Sequence, residues 1–302
     1  MLTICALTKA THNISINVQV TQFKCGGFTV GIKFNHGFFD GAGVVQFMKA
    51  VAEIAQGLSQ PTTKPIWFRE SIDDPQQLSF TLSEAHALAS STNDFVSHAI
   101  DISVDQIDQL KNYFTKETGD KCSTFDILTA MVWQCRTRAI SLEPPTDVTL
   151  VFPINMRRTL HELLPSDGGY YGNYIYTSVV KAPSKLVGNA PLAEIVNLIR
   201  DAKRRAFNKS ATRWSHLEPV EIEITYLTLC VTDWTNTGFS GIDYGWGEPI
   251  GLVADLSNIE FPVGFCLLFN LCAPRRGVQI WTQCIFKEHL ESFLDQLKLK
   301  ME

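Results

Sequence analysis

The sequence is short of the local signatures on which most enzyme classes depend. Its eight cysteines are Cys5, Cys25, Cys122, Cys135, Cys230, Cys266, Cys272 and Cys284, and no two are spaced as Cys-x-x-Cys. A zinc or thioredoxin-type site therefore has no local support, and no metal is expected. Most of these cysteines lie in apolar surroundings and read as reduced core residues. There is no Gly-x-Ser-x-Gly elbow, which Gly238-Phe239-Ser240-Gly241 misses by one position. No His-Glu-x-x-His pair, Walker loop or Gly-x-Gly-x-x-Gly after a strand occurs. A covalent serine or cysteine hydrolase, a zinc hydrolase and a nucleotide enzyme each lack their local signature. No run approaches the ~18 apolar residues of a membrane span. The first residues do not combine a basic segment with a long apolar run, so no signal peptide is expected. A reducing, cytoplasmic setting follows. Charged residues are only 19% against 45% hydrophobic, which suits a well-buried globular chain. The net charge of -5 argues against nucleic acid as the main partner.

Periodicity organises the 302 residues. Ile14, Ile16, Val18 and Val20 alternate with polar residues and predict a half-buried strand. Phe28, Val30, Ile32 and Phe34 predict a second, and Cys25-Gly26-Gly27 between them marks a turn. After Asp40 the spacing becomes helical, through Val44, Phe47, Met48, Val51 and Ile54, with Gly57 as C-cap. From Gln60 to Leu82 the pattern breaks among Pro61, Pro65 and Pro75, which reads as a long loop, and the domain boundary falls near 70–95. Beyond it, a strand over Phe95–Ile102 precedes a helix capped by Ser103. A helix over Ile127–Ala139, apolar almost all round, reads as buried. Strands are expected at Val148–Ile154, Tyr174–Val180 and Glu221–Thr232, and a hairpin at Phe265–Cys272 and Val278–Phe286. Helices are expected over Pro191–Phe207 and Glu288–Leu299, and the class is α/β with mixed sheets.

Two stretches carry candidate chemistry. His36 is the only His followed four residues later by an Asp, and it sits in a strand-to-helix turn with Gly41 and Gly43. An imidazole is the ordinary base for a hydroxyl or amine proton. A His in such a turn can equally be structural. Asp40 can orient its ring or form a salt bridge elsewhere. The second stretch is Asp243-Tyr244-Gly245-Trp246-Gly247. Alone, it reads as an aromatic-glycine turn packed for shape, its Asp anchoring an Arg.

Together, His36-Gly37-Phe38-Phe39-Asp40-Gly41 and Asp243–Gly247 resemble the two ordered motifs of the plant BAHD acyltransferases, with Tyr244 where that family usually has Phe. Val18–Phe28, Asn155-Met156-Arg157 and Tyr171-Gly172-Asn173 are similar to its flanking motifs, and the resemblance runs from about residue 14 to the C-terminus. It implies two chloramphenicol-acetyltransferase-like domains, with mixed sheets flanked by helices and a channel between them. Residues 1–75 would be an incomplete N-terminal domain carrying the base, 76–94 a crossover linker, and 95–302 the C-terminal domain. It implies an acyl group moving directly from acyl-CoA, as co-substrate, to an alcohol or amine of a plant specialised metabolite. No tightly bound cofactor, nucleic acid or membrane is involved, and the chain is a monomer. In this resemblance His36 is the general base, with Thr232 and Trp234 assisting at the oxyanion. Asp40 pairs with Arg157; Asn173, Asp243, Gly245, Trp246 and Gly247 are structural, with Asp243 and Trp246 shaping the second domain. Cys25-Gly26-Gly27 and Gly277-Val278-Gln279 suggest aromatic or acetyl donors. Because only 35 residues precede His36, a truncated member is also expected, for which the alternative is an inactive chain that binds ligands or a partner. A hydrolase using His36 with a hidden nucleophile is the third reading.

Overall fold

Strand-period and helix-period segments alternate through the chain and build two main sheets, with two hydrophobic cores that meet on the opposite faces of one strand. The computed structural model describes residues 2–7, 16–72, 77–82, 95–142, 146–160, 164–210, 219–255 and 263–301. Ile14 and most of the segment 76–94 lie outside the described residues. The N-terminal half contributes β1 (Leu2–Leu7), β2 (Ile16–Gln22), β3 (Phe28–Asn35), α1 (Gly41–Ala55), β4 (Lys64–Ile66) and β5 (Leu78–Leu82). The remainder contributes β6 (His98–Ser103), α2 (Val104–Thr118), α3 (Thr124–Ile140), β7 (Asp147–Asn155), β8 (Gly168–Tyr170) and β9 (Ile175–Pro183). Then follow α4 (Ser184–Asn189), α5 (Leu192–Ser210), β10 (Val220–Ile224), β11 (Thr228–Asp233), β12 (Leu252–Asp255), β13 (Gly264–Asn270), β14 (Gly277–Gln283) and α6 (Leu290–Met301).

Six strands form the larger sheet in the order β6-β14-β13-β11-β7-β9. β11 is parallel to both β13 and β7, and the remaining pairs are antiparallel. The smaller sheet has the order β12-β1-β3-β2. β12 comes from the second half of the chain, yet it runs parallel to β1 of the first. Two-stranded parallel ribbons, β5 with β10 and β4 with β8, complete the pairing.

Helix ends follow local chemistry. Ser103 and Ser123 each accept from the N3 amide while the N3 side chain reaches back, a capping box at the start of α2 and of α3. The expected burial of α3 is observed almost all round it. Alternation along β13 explains how two cores fit one sheet. Cys266 and Leu268 face the core beneath the helices, whereas Phe265, Leu267 and Phe269 face a second core with β3 and α1.

Four features differ from the sequence reading. The stretch Gln60–Leu82, expected as one loop, contains β4 and β5. The single strand expected over Glu221–Thr232 is two, β10 and β11. Between them the Thr225 hydroxyl accepts from the Leu227 amide, and Thr228 Oγ1 donates to the Glu223 carbonyl, closing a turn that sends each strand to a different sheet. β1 and β12 lie in stretches where no strand was expected. Finally, β2 is an edge strand rather than a half-buried one. α1 covers β3 but leaves Val18 and Val20 at 47% and 65% exposure, so an apolar groove of about 430 Å³ runs between β2 and α1.

Candidate active site

His36 is the first residue after β3, and the chain turns over Gly37–Phe39 before Asp40 caps α1. The Asp40 side chain accepts from the Gly43 amide at 2.9 Å. Both its oxygens also receive the Arg157 guanidinium, at 2.7 and 2.9 Å, and the Tyr174 amide adds a fourth bond at 3.0 Å. Arg157 spends its other donors on the carbonyls of Tyr170 and Gly172 and on Asn155 Oδ1. All five N–H groups of the fork are used. Asp40 is therefore committed to a buried, bidentate pair that ties the start of α1 to the Arg157 and Gly172 turns. It does not orient the His36 ring.

The turn itself is gripped at the backbone. Asn173 Nδ2 donates to the His36 carbonyl at 2.7 Å, and Arg69 Nη2 donates to the Phe38 carbonyl at 3.0 Å. The His36 ring packs at 5.9 Å from Phe34, and its nitrogens have no hydrogen-bond partner among the described residues. Close approach is secured by glycine at two positions. A Cβ on Gly43 would run into the Tyr171 carbonyl oxygen, and one on Gly41 would lie 2.8 Å from Trp234 Nε1.

His36 lines a cavity of about 400 Å³ between the start of α1 and the face of the larger sheet. Thr232 on β11 and Trp234 just after it line the same cavity, so the indole N–H and a hydroxyl share a space with the imidazole. The rest of the wall is apolar, from Phe265 and Leu267 on β13 and from Leu78, Phe80 and Ile222 on the β5–β10 ribbon. Cys230 is the cavity's thiol, and burial pushes its pKa up to about 12. It is held as the neutral thiol at neutral pH, which removes the nucleophile a cysteine hydrolase would need. Asp233 ends β11, accepts from the Thr235 amide at 2.8 Å, and is raised by burial above the usual carboxylate range. No group of His, Cys, Asp and Glu able to hold a metal occurs among the described residues. Likewise, no helix among them is long and apolar enough to cross a membrane.

The second motif lies elsewhere. Asp243 Oδ1 accepts from the amides of Gly245 and Gly247, both at positive φ, so its carboxylate closes its own loop and has no Arg partner among the described residues. Gln56, the C-cap of α1, donates to the Asp243 carbonyl at 2.6 Å. The 15 residues of α1 put that end ~22 Å from the end beside His36. Trp246 is 77% exposed and meets Phe28 edge-on at 5.3 Å. The motif thus fastens the far end of α1 and the β2–β3 hairpin, and does not shape the second half alone.

Sequence reading missed two contributors. Arg69 and the Leu78–Leu82 strand fall in the stretch taken as loop. Its signal is the short alternation Leu78, Phe80, Leu82, too brief beside Pro75 to stand out.

Comparison with known proteins agrees with this architecture. The sequence model of the Transferase family matches residues 3–299, so the likeness begins earlier than the expected residue 14. Myricetin 3-O-glucosyl 1,2-rhamnoside 6'-O-caffeoyltransferase AT2 of Crocosmia x crocosmiiflora is 39% identical over 297 residues, which are 95% of this chain and 69% of that protein. Among solved structures, vinorine synthase superposes with a TM-score of 0.68 at 16% identity, covering 96% of this chain and 67% of that one. F. sporotrichioides TRI101 complexed with coenzyme A and T-2 does so with 0.60 at 17% identity, covering 93% and 68%. The chain thus spans about two thirds of the length of the proteins it matches. With its matched length, its mixed α/β sheets and a His-bearing cavity between them, the chain belongs to the Transferase family of plant BAHD acyl-CoA-dependent acyltransferases.

Proposed function

We propose that this chain transfers an acyl group from acyl-CoA to a hydroxyl or amine of a small-molecule acceptor, with His36 as general base and no acyl-enzyme. A neutral imidazole nitrogen of His36 takes the proton of the acceptor as its oxygen or nitrogen attacks the thioester carbonyl carbon. Negative charge then develops on the carbonyl oxygen, and the Trp234 indole N–H and Thr232 hydroxyl serve as its hydrogen-bond donors, a role supported by their lining the same cavity as His36. Collapse breaks the C–S bond, and the thiolate leaving group recovers its proton from the imidazolium.

One observation carries this reading. His36 is the cavity's uncommitted imidazole, while Asp40 and Arg157 beside it are saturated by one another and by backbone. The apolar wall suits a flat aromatic or short acyl group, and the caffeoyltransferase name of the Crocosmia relative supports an aromatic donor on an oxygen acceptor. In this reading Asp40, Arg157 and Asn173 hold the catalytic turn. Asp243, Gly245, Trp246 and Gly247 hold the hairpin behind it. Residues 1–75 carry the base, 76–94 cross over, and 95–302 supply the opposite wall, in a monomeric, cytoplasmic protein.

Thiol release from acetyl-, benzoyl- and caffeoyl-CoA, measured against a panel of alcohols and amines, tests the reaction. Acceptor-dependent release is expected, with the intact protein mass unchanged when acyl-CoA is supplied alone. A stable mass increase equal to the acyl group would point instead to a covalent intermediate.

A further inference from the structure

The His36 cavity has two unlike ends. Side chains alternate along β11: Leu229 and Val231 face the core beneath the helices, whereas Cys230 and Thr232 face the cavity. Strand register arranges the cavity floor in rows across the larger sheet. Thr232 stands beside Leu267 of β13. Cys230, two residues and ~7 Å further along the strand, stands between Phe265 of β13 and Val151 of β7. The next row is Thr228 with Thr149. There the Thr228 hydroxyl donates to the Glu223 carbonyl at 2.7 Å, and the Thr149 amide donates to the Leu227 carbonyl at 3.1 Å. These bonds draw the β10–β11 turn over this end of the floor and close it. Val151, Ile222 and Phe265 are buried at the closed end, whereas Leu78 and Phe80 on β5 are exposed and form the open side. Cys230 itself is half-buried, and the space open to it is the cavity.

We propose that Val151, Cys230 and Phe265 form the end wall that limits the length of the acyl group, with Cys230 setting the limit. This rests on the reading of His36 as base and of Thr232 and Trp234 as oxyanion donors. With the thioester carbonyl held at Thr232, an acetyl group ends beside it, whereas a caffeoyl group carries its ring to the Cys230 row. An apolar tail gains free energy by entering this closed, uncharged end. The acceptor's polar groups keep their water at the open side. A side chain larger than cysteine at 230 extends into the cavity rather than into packed core, so it shortens the slot without displacing β11. Alanine lengthens it.

The test takes two readings on Cys230→Ala, Cys230→Leu and Cys230→Phe, with the thermal midpoint checking that each folds. The first is equilibrium binding, by calorimetry, of methyl caffeate, a neutral ester that has the acyl group and no coenzyme A. Wild type is expected to bind it, with weakening in the order Cys230→Leu, Cys230→Phe, the second by about tenfold or more. Cys230→Ala should move the preference the other way, toward methyl sinapate, whose ring carries two methoxy groups. The second reading is kcat/KM for caffeoyl-CoA divided by that for acetyl-CoA, which should fall about tenfold in Cys230→Phe. Leu299→Phe, which adds the same ring at an exposed position on α6, should leave both readings as they are. No methyl caffeate binding by wild type, or unchanged affinity in folded Cys230→Leu and Cys230→Phe, would overturn the assignment. So would equal losses for acetyl- and caffeoyl-CoA, or smaller and larger side chains moving the preference the same way. Graded ester binding with no acceptor-dependent thiol release from any acyl-CoA would support the end wall and contradict the proposed function instead.

Discussion

At the scale of single residues, the pair Asp40–Arg157 is the best-defined polar feature of the molecule. Its side chains are 6% and 19% exposed, so each charge depends on the other. Removing one partner leaves a buried carboxylate with only two amides. Arg157→Ala is therefore expected to lose about 3 kcal/mol of stability, read as a lower denaturant midpoint. A loss below a few tenths would mean the pair is exchanged for water without cost. Asp233 works in the opposite sense. Burial raises its folded pKa above the unfolded value, with the hydrogen bonds from Thr235 and, after them, the charge of Lys203 only partly opposing. The folded state thus binds more protons, and stability falls as pH rises from the unfolded carboxylate pKa through the raised folded value. Asp233→Asn keeps an acceptor for the Thr235 amide while removing that charge. It should raise the thermal midpoint at neutral pH, with the gain shrinking as pH drops through the carboxylate range. A gain that grows toward acid pH would contradict the burial argument.

At the scale of elements, α1 is a strut fixed at both ends. Its N-terminus is fastened through Asp40 and Gly43, its C-terminus through Gln56 to the Asp243 loop. Gly43→Ala would drive a methyl group into the Tyr171 carbonyl oxygen and push α1 off the Tyr171 turn. The expected result is a loss of about 1–3 kcal/mol by denaturant unfolding, together with a fall in any His36-dependent turnover. Normal stability would show that the turn yields freely. Helices were the most legible elements because their signals are local. Ser103, Ser123 and the apolar run of α3 can be read without knowing any partner. Strands that depend on distant partners were not. β1 and β12 pair only with chain far away in sequence, and β5 owes its strand form to β10, some 140 residues later. The exposure of β2 was illegible for the same reason. Alternation shows that one face is apolar, but not whether a helix covers it.

At the scale of the whole molecule, β13 belongs to both cores, so neither can melt without exposing the other. Near-ultraviolet and far-ultraviolet unfolding curves should therefore coincide in one transition. Two separated midpoints would mean that the smaller sheet opens independently. The cavity lies where these parts meet, with His36 from the first sheet's turn and Thr232 and Trp234 from the second sheet's β11 end. The sequence motifs named these residues one by one. Their meeting needed the parallel pairing of β11 with β13 and the Asp40–Arg157 tie, which spans 117 residues. The central claim is that His36 removes the acceptor's proton. Its most direct test is the kcat of His36→Ala for acceptor-dependent thiol release from acyl-CoA, with folding checked by the thermal midpoint. A fall of about 10²–10⁴-fold at an unchanged midpoint is expected, whereas wild-type turnover in the folded variant would show that His36 is not the base.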